Sequence, residues 1–239
     1  MKIRILLLLS LITISCKKEL KTDASQISEK DTLQVSPSKE PFTLTVNKID
    51  STQFPSSIKY EGFVKNAVRW KDKLGDNIVI TTETGYFVSS KFKHESENSS
   101  DAELFVYHYI MSGNKAQQTW KIYDYIADCP VDITASFVKN TFQVTDLNNN
   151  GIAEVWIMYK TVCHGDVSPS NMKIIMYEGK QKYAMRGENK VQVGVLDNGK
   201  AQYIGGEFKF DENFKKAEKA FKDFAQKLWN KNLIEKWED

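Results

Sequence analysis

Glu103-Leu-Phe-Val-Tyr-His-Tyr-Ile-Met111, then Ser112-Gly113-Asn114, then Gln118-Thr-Trp-Lys-Ile-Tyr-Asp-Tyr-Ile126 is the stretch that decides the fold class. Both flanks are crowded with aromatic and β-branched side chains, which fit a pleated, half-buried surface better than a helix. Gly113 and Asn114 accept the positive φ that a tight antiparallel reversal demands. The expectation is a hairpin with strands at 103–111 and 118–126.

The same grammar repeats outward. Runs at 64–70 and 77–82 flank Leu74-Gly75-Asp76, and runs at 172–177 and 181–185 meet at Glu178-Gly179. Runs at 191–196 and 201–204 straddle Asp197-Asn198-Gly199. Phe42-Thr-Leu-Thr-Val46 alternates with period two, as one buried and one wet face require. Residues 133–137, 142–145 and 155–159 read as further short strands, 85–88 as a candidate one, and the polar 94–101 stretch as a loop.

Near the C-terminus the period changes. Phe210, Phe214, Ala217, Phe221, Phe224 and Leu228 recur at intervals of four and three, so a helix over 211–236 is expected, with Asp211 as its cap. Its Phe stripe should rest on a sheet while Lys215, Lys216, Lys219 and Lys222 face water. A basic helix lying on a membrane is the lesser alternative. The fold class is therefore mainly β, antiparallel sheets and hairpins closed by a C-terminal amphipathic helix, with α+β as the alternative. Residues 41–239 suffice for one core, or for two β subdomains meeting near Ala127.

The front of the chain has its own logic. Lys2 and Arg4 precede an apolar run over 5–14, far shorter than the roughly 20 residues that span a bilayer. Thr13-Ile14-Ser15-Cys16 resembles the lipobox of bacterial lipoproteins, although Thr13 stands where leucine is usual. That resemblance implies removal of a signal peptide, 1–15, and palmitate-type acylation of Cys16. Lys17 follows rather than an Asp, which points to a lipid anchor in the outer membrane, on its periplasmic or cell-surface face. The alternative is a plain secretory signal with an incidental cysteine. Residues 16–40, Ser-, Lys- and Thr-rich without an apolar face, read as a flexible tether.

Composition narrows the partners. Lys plus Arg number 33 against 31 Asp plus Glu, and without Lys2 and Arg4 the two balance at 31 each. A neutral mature chain gives no reason to expect nucleic acid. His94, His108 and His164 lack zinc-site spacing. With Cys16 taken by lipid, Cys129 and Cys163 remain, and an exported chain would join them as a disulfide; two separate thiols are the alternative.

Asp146-Leu-Asn148-Asn-Asn150-Gly151-Ile152-Ala-Glu154 is the one motif with chemistry in it. Oxygen-bearing side chains at every second position, then a glycine, can wrap hard oxygens around calcium. The candidate ligands are Asp146, Asn148, Asn150, the carbonyl of Ile152, and Glu154. The start resembles an EF-hand loop, but the twelfth position is Ile157. The ninth, Glu154, fits better the shorter loops between strands of integrin-type propeller repeats. Only two formal charges imply modest affinity, about 10⁻⁴–10⁻³ M. An ion-free Asn-Gly turn is the alternative. Downstream, Cys163, His164, Asp166 and Ser168 crowd one loop, yet adjacency in sequence does not make a catalytic triad.

The run over 145–187, with that loop, then Asp166-Val-Ser-Pro-Ser170, Met172-Lys173 and Lys182-Tyr-Ala-Met-Arg-Gly187, resembles a family of bacterial lipoproteins described as surface polysaccharide biosynthesis proteins. The resemblance implies a link to envelope polysaccharide or lipopolysaccharide formation, and carries over no catalytic residue. Two expectations follow. The preferred one is a non-enzymatic envelope lipoprotein, with structural calcium, that binds polysaccharide or an assembly protein. The other is an enzyme acting on surface glycans through carboxylates such as Asp128, Asp132 and Asp166. A flat aromatic sheet face favours the first, and a deep cleft with facing carboxylates the second.

Overall fold

The computed structural model describes residues 43–235, so the leader, Cys16, the 17–40 tether and Phe42 lie outside the described residues. The deciding hairpin forms as read: β4 (Ser100–Ser112) and β5 (Lys115–Cys129) pair antiparallel, with Ser112 opposite Lys115 and Gly113 at φ 58°. Upstream, β2 (Phe63–Asp72) and β3 (Gly75–Glu83) form the neighbouring hairpin, turning through Lys73-Leu74. The first short strand, β1 (Val46–Lys48), pairs with β2 along the free edge, so the run expected over 42–46 becomes a strand only at its end. These strands make one five-stranded sheet in sequence order.

Beyond Cys129 the chain enters a second sheet. It contains β6 (Ile133–Phe137), β7 (Gln143–Thr145), β8 (Glu154–Cys163), β9 (Asn171–Glu178) and β10 (Gln181–Glu188). β11 (Lys190–Val195) and β12 (Ala201–Gly205) form a separate ribbon, and β13 (Phe208–Phe210) returns to pair with β10. Mainly β, antiparallel throughout, and closed by short helices, the fold class is as expected. The described residues, 43–235, belong to one compact unit.

Period two explains the layers. Leu104, Val106, Trp120 and Ile122 of the first sheet share one apolar core with Val155, Ile157, Ile175 and Tyr177 of the second. The opposite face of β8 and β9 carries Trp156, Met158, Ile174 and Met176, covered by Phe214, Phe221, Ala225, Leu228 and Trp229. Near-continuous apolar runs in β8 and β9 thus report burial on both faces.

Three expectations need correction. The 85–88 run makes only one bridge, Phe87 to Asp101, because Gly85 at φ 70° turns the chain away. Phe210 lies in β13, not at a helix start. The single helix is two: α1 (Glu212–Lys216) and α2 (Lys219–Lys231), separated by extended backbone at Ala217 (φ −65°, ψ 163°). Asp211 does cap α1, accepting the Phe214 amide at 2.8 Å. At the break Glu218 accepts from the Asn148 side chain at 3.0 Å rather than capping α2, a tie to a loop seventy residues away.

Candidate functional site

The loop at 146–154 joins β7 to β8, and its side chains fold it back on its own amides. Asp146 Oδ2 accepts the Gly151 amide at 3.1 Å, Asn148 Oδ1 the Asn150 amide at 3.2 Å, and Asn150 Oδ1 the Ile152 amide at 2.7 Å. Asn149 and Gly151 take φ values of 56° and 78°, the reversals that such wrapping needs. Two neighbouring turns close on it. Asp72 Oδ2 accepts the Ala153 amide at 3.1 Å, the Lys73 amide donates to the Gly151 carbonyl at 2.9 Å, and the Lys73 ammonium donates to the Asn150 carbonyl. From the other side Glu178 accepts from the Asn148 and Asn150 amides at 2.9 and 2.6 Å.

The charge here is poorly balanced. Glu154 is fully buried, accepting from the Thr145 hydroxyl at 2.6 Å and from the Leu147 amide at 3.0 Å. Burial pushes its carboxyl up to about 7, with Asp146 and Glu178 adding to the rise against those two hydrogen bonds. Asp146 Oδ1 is buried without a hydrogen-bond partner. Asp146 thus lies close enough to Glu154 to act on its charge, while the Asn148 and Asn150 side-chain oxygens are taken by loop amides. Among the described residues no three Asp, Glu, His or Cys side chains gather as a metal shell. The sequence motif did not disclose Lys73, Glu178 or Glu218.

The 161–170 loop is held differently. Cys129 and Cys163 form a disulfide, which removes the Cys163 thiolate as a nucleophile. His164 Nδ1 stands 3.7 Å from Asp166, beyond hydrogen-bond reach, while Asp166 accepts the Ser168 amide at 2.8 Å. Asp132 and Asp166 are exposed, and Asp128, at the end of β5, accepts the Glu95 amide at 3.1 Å. None of the three lines either of the hollows beside 137–144, of about 730 and 740 Å³.

The outer face of the first sheet carries an aromatic row. Register places Phe105, Tyr107 and Tyr109 of β4 on the same face as Lys121, Tyr123 and Tyr125 of β5. Ring centroids are 5.0 Å apart for Phe105 and Tyr123, 5.3 Å for Tyr123 and Tyr125, and 4.8 Å for Tyr125 and Phe92. Part of the row is roofed by the 49–62 segment: Ile58 packs on Tyr107 and Tyr109, and the Tyr109 hydroxyl donates to the Lys59 carbonyl. The other end is open, with Tyr123 43% and Tyr125 45% exposed.

A charged rim borders the open end. The Tyr123 hydroxyl donates to Glu103 at 2.6 Å, and Lys91 reaches Glu103 at 3.2 Å and Glu61 at 3.1 Å. Lys121 lies 4.6 Å over the Phe105 ring and 3.2 Å from Glu61. Burial and the Glu103 carboxylate both raise the Tyr123 hydroxyl, so it stays a donor at every physiological pH. Faces of aromatic rings beside fixed ammonium and carboxylate groups suit a ligand with apolar C–H faces and a hydroxyl fringe. The period-two aromatics were visible in the sequence; the roof that leaves only Tyr123 and Tyr125 open was not.

Compared with known protein families, curated proteins and solved structures, the chain finds no match in any of the three.

Proposed function

We propose that this is an exported, lipid-anchored envelope protein that binds surface polysaccharide, without catalysis, on the aromatic face of its first sheet. The open pair Tyr123 and Tyr125, rimmed by Glu61, Lys91, Glu103 and Lys121, carries the reading. The lipobox-like Cys16 and the Cys129–Cys163 disulfide support an oxidising location outside the cytoplasm. The resemblance of 145–187 to polysaccharide-linked lipoproteins supports the ligand class.

The 146–154 loop enters this reading as a structural calcium site. Asp146, Asn148, Asn150, the Ile152 carbonyl and Glu154 would hold the ion, which would pin the turns that bear Asp72, Lys73 and Glu178. The buried unpartnered Asp146 oxygen and the raised Glu154 carboxyl support it, since a cation would satisfy both.

A deletion strain scored for surface polysaccharide tests the function. Complementation by Asp128→Asn, Asp132→Asn and Asp166→Asn variants should restore the wild-type level, while Tyr123→Ala/Tyr125→Ala should not. Failure of the carboxylate variants, with the tyrosine variant active, would replace binding by catalysis.

A further inference from the structure

The aromatic face of the first sheet is bounded on three sides, and the boundary narrows the ligand further. Among the described residues β5 is hydrogen-bonded to β4 alone, so the open rings of Tyr123 and Tyr125 stand at a free sheet edge. Along β5 the row ends at Phe92, whose ring stacks on Tyr125 at 4.8 Å. In the other direction Lys121 lies over Phe105 and is tied to Glu61 of the roofing segment at 3.2 Å. Register sets Glu103 of β4 opposite Tyr125, and Lys91 bridges Glu103 to Glu61, at 3.2 and 3.1 Å. Charged groups therefore close the inward side.

The wall at Phe92 is held in place. Phe92 belongs to the stretch between β3 and β4, which has no regular strand or helix, yet the fully buried Asp101 carboxylate fastens it. One Asp101 oxygen accepts the Ser89 amide at 2.6 Å and pairs with the His94 Nε2 at 2.8 Å. The other accepts the Asp128 amide at 2.9 Å, from the end of β5 itself. Burial alone would raise this carboxyl, but the two amides and His94 hold it below the ordinary aspartate value. It stays an anion, and removing one of its partners would leave buried charge uncompensated. The segment bearing Phe92 and the strand bearing Tyr125 are thus tied to one carboxylate.

A sugar chain lying along the row would need an opening at each end. Phe92 closes one, and the Lys121–Glu61 pair with the roof beyond it closes the other. A chain crossing the sheet would run into Lys91 and Glu103. The free edge of β5 is the side left open. We propose that the aromatic face takes the terminal unit of a polysaccharide chain, entering over that edge, and not a segment from the middle of the chain. Tyr123 and Tyr125, with ring centroids 5.3 Å apart, form the platform for that single unit, and Phe92 is its end wall. The inference rests on the polysaccharide reading above and names the part of the chain that is bound.

Titration calorimetry of the full-length protein with surface polysaccharide from the bacterium that makes it, intact and after partial acid hydrolysis, tests this. At equal mass the shortened material carries more chain ends, counted from the reducing groups released. Protein bound per gram at saturation should rise in proportion to those ends, with the constant per end unchanged. Phe92→Ala should weaken binding by about three- to tenfold, and Phe92→Tyr, which keeps the ring, should bind as wild type. A capacity per gram that stays constant or falls on shortening would overturn the terminal assignment, as would Phe92→Ala with wild-type affinity. Tyr123→Ala/Tyr125→Ala in the same titrations separates the two failures. If that variant loses binding while capacity ignores chain ends, the terminal assignment alone falls; if it binds as tightly as wild type, the polysaccharide site itself falls.

Discussion

Glu154 should make this protein weaker as pH rises, and calcium should cancel the weakness. The unfolded carboxyl titrates near 4.5 and the folded one at about 7. Between those values the native state holds a proton that the unfolded chain has lost, so its contribution is complete below 4.5 and gone above 7. The difference is worth about 3.4 kcal/mol, of which about 2.5 kcal/mol disappears between pH 5 and pH 8. His108 slopes the other way. Buried between Trp70 and Trp120, it is pushed down to about 4, so the protein gains stability as pH rises through the same window. A raw pH profile would mix the two, and the comparison must be with Glu154→Gln. Urea unfolding followed by tryptophan fluorescence, in chelator, should show the variant gaining about 2–3 kcal/mol on wild type from pH 5 to pH 8. Millimolar calcium should restore the wild type at pH 8, and its binding at pH 6, where the folded carboxyl still carries its proton, should release that proton. Parallel curves for wild type and variant, within about 0.5 kcal/mol at both pH values, would refute the reasoning.

Other outcomes follow from single contacts. His108 should cost the fold about 3 kcal/mol as pH falls from 6.5 to 4, because the unfolded chain takes the proton first; His108→Asn should flatten that acid limb in the same unfolding assay. Replacing both Cys129 and Cys163 by Ala should lower stability by about 3–4 kcal/mol, since the bridge closes a 34-residue separation, measurable by urea midpoint. Gly187→Ala should detach β13 from β10, as its Cβ would sit 1.9 Å from the Glu207 carbonyl oxygen. Loss of about 3 kcal/mol, with new protease sensitivity near 208–210, is the expected sign.

Local chemistry made the hairpins legible. Gly113, Gly179 and Gly199 all take positive φ, so the turns they mark are where the chain reverses. The runs in β8 and β9 were read only as short strands; their burial on both faces appears once the first sheet and α2 pack against them. The break before α2 carried no mark, because neither Gly nor Pro stands at Ala217 or Glu218 and the apolar period runs through it. At the break Glu218 accepts from Asn148, a bond across seventy residues that no local pattern encodes. The calcium-type loop was visible as a motif, but not the Lys73 and Glu178 that lean on it from other hairpins.

Titration calorimetry with surface polysaccharide purified from the bacterium that makes the protein goes straight to the binding reading. Wild type should bind, and Tyr123→Ala/Tyr125→Ala should lose about tenfold or more, since each exposed ring contributes about 0.5–1.5 kcal/mol beyond its area. A double variant that folds and binds the polysaccharide as tightly as wild type would contradict it.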